Sequence, residues 1–452
     1  MFVVYVVPIM NILRVKRKAL ELLQRVEEDN SYLHLVLQQE AHAASASPEE
    51  YPVLVQLVRG VLERREVLDR ALAPFIPKGL ESLPKPVLLT LRLGAYQILF
   101  LDRVKKRDVV FEAVEITKHG KFRGLAKLVN AVLRRIEAPS GDGGSEERRT
   151  SSQNFPQWLV TRWREQFGDE ETERFCEANN KPLPLYLRVN TSRISREDLQ
   201  QALLAEGVIA EAARFSDVSL QVQQLPKERR IHTLESYRAG LFFVQDLSST
   251  IVADIATRES PLTVCDLCAA PGGKTCSMAL SVLECAGVIT SFDRTEKRVG
   301  LIQDIVERLA IPNVVWGIRD ALCADSTGEV RFDAVLVDAP CSGFGTLGRK
   351  IDARWSKSSD TITELTAIQS TMLDRAADMV GLGGVLVYST CTIERAENED
   401  IVAGFLHRHP EFARVDLSLE LPGELCTPEG SYRAWPHRHA MAGAFAAKFR
   451  RC

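Results

Sequence analysis

Two short loops hold the residue types that could do chemistry in this chain. DAPCSGFG runs from Asp338 to Gly345 and YSTCTIERAENE from Tyr388 to Glu399, each at the end of an apolar run. Each places a cysteine just past a strand: Cys341 between Pro340 and Ser342, Cys391 between Thr390 and Thr392. A thiol that merely packs has core residues beside it, whereas these neighbours suit a partly exposed, reactive sulfur. Arg349 and Lys350 follow Cys341 and Arg395 follows Cys391, cations that would favour a thiolate. Thiols at ligand-facing strand ends are equipment for covalent catalysis, which divides one difficult step into easier ones.

A third loop, TVCDLCAAPGGKT (Thr263–Thr275), joins a strand ending at Asp266 to a helix beginning near Thr275. Its glycines let backbone amides approach a ligand closely, and the helix N-terminus adds donors. A Walker A loop would need glycine five positions before Gly273, where Cys268 stands, and the G-x-G-x-x-G fingerprint is absent here. Asp293 closes the next strand, 20 positions beyond Gly273, where a carboxylate commonly holds ribose hydroxyls. The pattern predicts a ribose-bearing cofactor without a pyrophosphate. Cys265 and Cys268 form a C-x-x-C without a second ligand pair at zinc spacing, so no metal is expected. Gly343, Gly345 and Gly348 do spell G-x-G-x-x-G, but Pro340, Cys341 and Ser342 precede them, which reads as a close-approach loop beside a reactive site.

These loops require a sheet that brings them to one edge. From about 236 the chain alternates short β-rich runs with helices: Leu262–Leu267, Val288–Phe292, Val314–Gly317, Phe332–Val337 and Val385–Ser389. That rhythm predicts an α/β domain with a doubly wound, mostly parallel sheet over 236–452, with ligands at the carboxyl ends of its strands. Residues 155–235 read as a small α/β unit, with a strand at Leu185–Asn190 and a helix at Arg196–Glu206 behind the cap-like Ser195. Residues 138–154, APSGDGGSEERRTSSQN, have no periodicity and read as a flexible linker. Residues 1–137 carry helical periodicity, ending in a helix at Lys121–Ile136 with Lys121, Arg123, Lys127, Arg134 and Arg135 on it. The apolar stretch before Met10 reads as an extension outside the fold, Met10 being an alternative start.

The whole chain has 57 basic and 60 acidic side chains, a net charge of −3. Residues 1–137 hold 22 basic and 16 acidic ones, or +6, leaving −9 for the rest. Anion binding is therefore expected at the front domain. Ten cysteines in 452 residues are too sparse for a disulfide scaffold, and no apolar run reaches the ~20 residues that cross a bilayer. A cytoplasmic, non-membrane protein is expected.

With these residues in view, the chain resembles the bacterial RsmB/Sun-type RNA (cytosine-5) methyltransferases that use S-adenosylmethionine. The resemblance rests on LRVNTSR (Leu187–Arg193), YRAGLFFVQDLSS (Tyr237–Ser249), DLCAAPGGKT, RDA (Arg319–Ala321), DAPCSGFGTLGR, YSTCTIERAENE and AWPHRHAMAGAFAAKF. In the front domain RLGAYQILFLDRV, FEAVEITK and LVNAVLRR resemble the NusB-type helical RNA-binding domain. The resemblance implies a Rossmann-like methyltransferase domain preceded by an all-α NusB-like domain and a small α/β RNA-binding subdomain. It implies that Cys268, Ala269, Ala270, Pro271, Gly272, Gly273, Lys274 and Arg298 line the cofactor, that Asp293 holds its ribose, and that Asp320 lies near its adenine. Asp338 would sit between cofactor and base as a carboxylic acid on the ring nitrogen, Cys391 would be the nucleophile, and Cys341 would assist product release. The expected substrate is a cytosine of small-subunit ribosomal RNA, unstacked to reach the site, and the expected state is a monomer without metal. Two other readings stand beside it: methylation of transfer RNA, and a non-catalytic RNA-binding module. Two segments differ from the family pattern: Ala440–Phe445 (AMAGAF), and Lys350–Trp355, which lacks a proline before Asp352.

Overall fold

The computed structural model describes residues 9–28, 33–43, 47, 49–102, 104–137, 151–226, 230–323 and 331–452. The chain forms two compact units, Met1–Lys181 with Leu347–Ser356, and Pro182–Thr346 with Lys357–Cys452. None of the described helices is long and apolar enough to cross a membrane.

In the first unit, helices span Ile9–Glu28, Leu33–Ala43, Glu50–Glu63, Arg65–Leu72, Lys85–Phe100, Lys106–Lys118 and Ala126–Arg135. Helix Lys85–Phe100 is apolar nearly all round, so it is buried among the others and not laid on their surface. Its one buried cation, Arg92, is held by Asp69 through paired hydrogen bonds of 2.7 and 2.8 Å and by Glu27 at 2.9 Å. The basic helix expected at Lys121–Ile136 begins at Ala126, after a 3-10 turn at Arg123–Leu125. Gly120 and Gly124 make the earlier residues poor helix formers.

Of the expected linker, residues 138–150 lie outside the described residues, and Ser151–Asn154 form a 3-10 turn. The helices Gln157–Phe167 and Asp169–Asn179 that follow cluster with the first unit around Trp163, which meets Phe155 and Phe175 edge-on. Leu347–Ser356 belongs to the same unit. Its Arg354 is fully buried, donates to Asn179 O at 2.6 Å and Asn180 Oδ1 at 3.0 Å, and lies over the Phe155 ring.

The second unit contains two sheets. β1 (Leu185–Val189), β2 (Ile209–Ala212), β3 (Ser219–Gln224) and β4 (Phe242–Val244) form an antiparallel sheet of order β2-β3-β1-β4. The helix Arg196–Ala205 accompanies it, capped as expected by Ser195, whose Oγ accepts from Asp198 N–H. The second sheet holds β5 (Thr263–Asp266), β6 (Val288–Asp293), β7 (Val314–Ile318), β8 (Phe332–Asp338), β9 (Val380–Thr390), β10 (Phe412–Val415), β11 (Tyr432–Ala434) and β12 (Ala444–Arg451). Its order is β10-β12-β9-β8-β5-β6-β7, with β11 on β12. β9, β8, β5, β6 and β7 run parallel, whereas β10, β11 and β12 pair antiparallel.

The strand order reverses between β5 and β8. Open α/β sheets bind ligands in the crevice at such a switch point, outside the carboxyl ends of the strands. Asp266 and Asp338 close those two strands.

Candidate active site

The loop from β5 to the helix Gly273–Val282 turns through Gly272, whose φ of 104° only glycine adopts comfortably. Pro271 is exposed at its tip, and Ala269 and Ala270 lie behind it. The Cys268 thiol is pushed well up by burial and by the charges of Asp266, Asp338 and Asp293, so it packs as a neutral group. Cys265, inside β5, is also buried, and no three potential metal ligands converge among the described residues.

Asp293, at the end of β6, is nearly buried and accepts from Ala270 N–H at 3.0 Å and from Arg298 Nε at 2.6 Å. Arg298 also donates to Ala270 O, so this pair stitches the Gly-rich loop to the neighbouring strand end. Asp320, past β7, is exposed and accepts from Leu322 N–H. Asp266 is buried and takes a hydrogen bond from Thr275 Oγ1 at 2.7 Å, while its Oδ1 has no partner. Burial, opposed by the Thr275 bond and reinforced by the charge of Asp338, pushes its carboxyl up to about 7.

Four carboxyl groups at adjacent strand ends thus surround a loop with no phosphate cradle. S-adenosylmethionine, which the resemblance implies, offers a ribose diol, an exocyclic amine, an ammonium and a sulfonium to such acceptors. The donor set fits this cofactor.

Asp338 is tied to two side chains. Its Oδ2 accepts from Lys274 Nζ at 2.7 Å and its Oδ1 from Ser389 Oγ at 2.7 Å. Asp338 thus forms an ion pair with Lys274 and a hydrogen bond with Ser389. The transferable proton beside it is on Lys274. Burial pulls the Lys274 ammonium down, but the charge and hydrogen bond of Asp338, followed by Cys391 and Asp266, outweigh it and leave it raised. Lys274, expected to line the cofactor, is thus also paired with the carboxylate expected beside the base.

The two cysteines come together. Cys341 Sγ lies 3.2 Å from Cys391 Sγ and accepts from Cys391 N–H at 3.3 Å. Gly345 makes this approach possible: a Cβ there would meet Gly443 O at 2.0 Å and Cys391 O at 2.8 Å. Gly443, inside the segment that departs from the family pattern, hydrogen-bonds to Gly345 O at 2.7 Å. The Cys341 thiol is raised well above the ordinary range by its bond to Cys391, by burial, and by the charges of Cys391 and Glu397. The bond to Cys391 and its charge thus favour the protonated form of Cys341.

Of the cations expected beside these sulfurs, Arg395 is exposed and pairs with Asp400 at 3.2 Å. The Lys274 ammonium is held up in part by the charge of Cys391. Sequence reasoning also missed Ser389, Gln369 and Glu397. Glu397, in the hydrophilic run RAENE, reads as a solvated helix start, yet it is fully buried. His439, in the segment AWPHRHAMAGAFAAKF, has a structural bond: its Nδ1 accepts from Trp435 N–H.

In the first unit a groove of about 750 Å³ is lined by Arg70, Phe75, Leu99, Arg134 and Arg135 among others. Its three arginines form no ion pair among the described residues, and Arg135 lies over the Phe75 ring.

Comparison with known proteins agrees with this arrangement. The family described as 16S rRNA methyltransferase RsmB/F matches residues 255–450, the NusB family residues 14–138, and the RsmF/B-like ferredoxin-like domain residues 155–227. The chain is 35% identical over 443 residues to the Bacillus subtilis protein named "Probable ribosomal RNA small subunit methyltransferase B", covering 96% of this chain and 98% of that one. It is similar to the crystal structure of PH0851 (27% identity, TM-score 0.80, 98% and 99% of the two chains). It shares its fold with NSun6 from Pyrococcus horikoshii with SFG (23% identity, TM-score 0.59, 66% and 98%). The architecture is therefore a NusB-like helical domain, a ferredoxin-like subdomain and a Rossmann-like S-adenosylmethionine-dependent methyltransferase domain. By its match along nearly its whole length, the chain belongs to the RsmB/F family of ribosomal RNA small subunit methyltransferases.

Proposed function

We propose that this protein methylates the C5 carbon of a cytosine in small-subunit ribosomal RNA through a covalent bond between Cys391 Sγ and the C6 carbon. The observation that carries the reading is the pair of sulfurs 3.2 Å apart, at the carboxyl ends of β8 and β9, where the Lys274–Asp338 ion pair also lies.

C5 of cytosine is a poor nucleophile until a thiolate adds at C6. Cys391 is equipped for that addition, because Cys341 donates its S–H to it and Lys274 favours its negative charge. As charge passes into the ring, the Lys274–Asp338 pair offers the ring a carboxylate acceptor and an ammonium proton. S-adenosylmethionine, the cofactor of the family, supplies the electrophilic methyl group that C5 takes up.

Once Cys391 is bonded to carbon, its acceptor and its charge no longer hold the proton on Cys341. Cys341 then loses that proton to water, takes the C5 proton, and the C6–S bond breaks to regenerate the Cys391 thiolate. The balance is one methyl gained by the base and one proton released to water.

The arginines that line the groove of the first unit, with its aromatic and apolar floor, suit RNA phosphate and an unstacked base. The test is methyl transfer from labelled S-adenosylmethionine to unmodified small-subunit ribosomal RNA, followed by bisulfite sequencing. One bisulfite-resistant cytosine supports the reading. Label on adenine, guanine or ribose would overturn it.

A further inference from the structure

Behind the two sulfurs lies a buried carboxylate that the mechanism above does not use. Glu397 is fully buried and sits on the 3-10 turn Arg395–Glu397 after the Cys391 loop. Its side chain reaches the other cysteine loop: Oε2 accepts from Ser342 N–H at 2.9 Å, and Oε1 accepts from Ser342 Oγ–H. Gln369 Nε2 donates to Oε2 at 2.9 Å and also to Pro340 O at 2.9 Å, so both neighbours of Cys341 are held. Ser342 Oγ lies 2.7 Å from Thr392 Oγ1, which in turn accepts from Glu394 N–H, and Tyr388 Oη donates to Glu397 O at 2.6 Å. Every donor around the carboxylate points at it, an arrangement that suits the ionised form.

We propose that Glu397 is a positioning residue for the methyl-transfer site: it clamps the Cys341 loop against Cys391 and, through its charge, keeps the shared proton on Cys341. Two sulfurs in contact at 3.2 Å share one proton when one of them is ionised, and a fixed negative charge decides which sulfur keeps it. Glu397 bonds the residue next to Cys341, and its charge adds to the proton affinity of that thiol. Burial of Glu397 itself works against its ionisation, and the hydrogen bonds from Ser342 and Gln369 offset that in part. The consequence is a division of labour: Cys391 attacks, and Cys341 carries the proton.

This inference rests on the two-thiol reading of the site, and its test separates the two. Without RNA or cofactor, the protein is alkylated with limiting iodoacetamide and each cysteine is quantified by peptide mass spectrometry, with exposed Cys323 and Cys452 as internal references. In the native protein Cys391 is expected to react ahead of Cys341. In Glu397→Gln the Cys391-to-Cys341 ratio is expected to fall about threefold or more, while the references stay constant. An unchanged ratio in a folded Glu397→Gln protein overturns the inference. If that variant does not fold, Ser342→Ala keeps the charge and removes one clamp bond. It is expected to hold the native ratio and to accumulate more covalent RNA–protein adduct during turnover, and a native adduct level would overturn the clamp. A shifted ratio with no adduct in any variant would sink the cytosine reading and leave the Glu397 inference standing.

Discussion

Replacing Lys274 by methionine removes a cation that pairs with Asp338 and interacts with the charge of Cys391, with little change in side-chain volume. Nζ and Oδ2 are 2.7 Å apart, and the two side chains are 17% and 30% exposed. At an effective dielectric near 20, unit charges at that distance attract by about 6 kcal/mol. Desolvation of both ions and the remaining solvent exposure remove well over half of this, leaving about 2 kcal/mol. If that stabilisation is used mainly when charge moves from Cys391 into the ring, turnover falls about thirtyfold. Loss of the ammonium also raises the proton affinity of Cys391, so the pH above which the rate levels off moves upward. The assay is single-turnover methyl transfer across pH, with calorimetric titration of S-adenosylhomocysteine to separate cofactor affinity from chemistry. Turnover above half of the native rate, with an unmoved pH profile, would refute the role given to Lys274.

Two further outcomes follow from other parts of the molecule. Asp266 binds its proton more tightly folded (about 7) than unfolded (3.8), so the native protein loses stability as pH rises between those values. Asp266→Asn is therefore expected to raise the melting temperature more at pH 8.5 than at pH 5.5, and an equal change at both would contradict the burial argument. Charge reversal of Arg134 and Arg135 is expected to weaken RNA binding and to flatten its salt dependence, by about 0.7 in logarithmic slope for each phosphate no longer neutralised, read by filter binding at several salt concentrations. An unchanged slope would remove this groove from the RNA-binding surface.

The parallel strands were legible because each holds a short apolar run, and β5, β6 and β8 end at Asp266, Asp293 and Asp338 as read from the sequence. β12 was not legible. AFAAKFRR is rich in alanine, a weak strand former, and takes its structure from pairing with β9, β10 and β11. Sequence neighbours misled where charge was concerned. Arg395 stands four positions from Cys391 but turns to Asp400, whereas Lys274, more than a hundred positions away, is brought in by the parallel order of β5, β8 and β9. Glu397 was invisible for the same reason: its partners Ser342 and Gln369 lie on other elements.

Whether one sulfur bonds to a pyrimidine carbon is tested most directly by intact-mass analysis of two single variants incubated with RNA and S-adenosylmethionine. Cys341→Ala is expected to accumulate a covalent complex whose mass is that of protein plus methylated RNA, with the link mapped to Cys391, whereas Cys391→Ala forms none and transfers no methyl group. Methylation by Cys391→Ala at the native rate, or a link mapped to any other residue, would contradict the two-thiol mechanism.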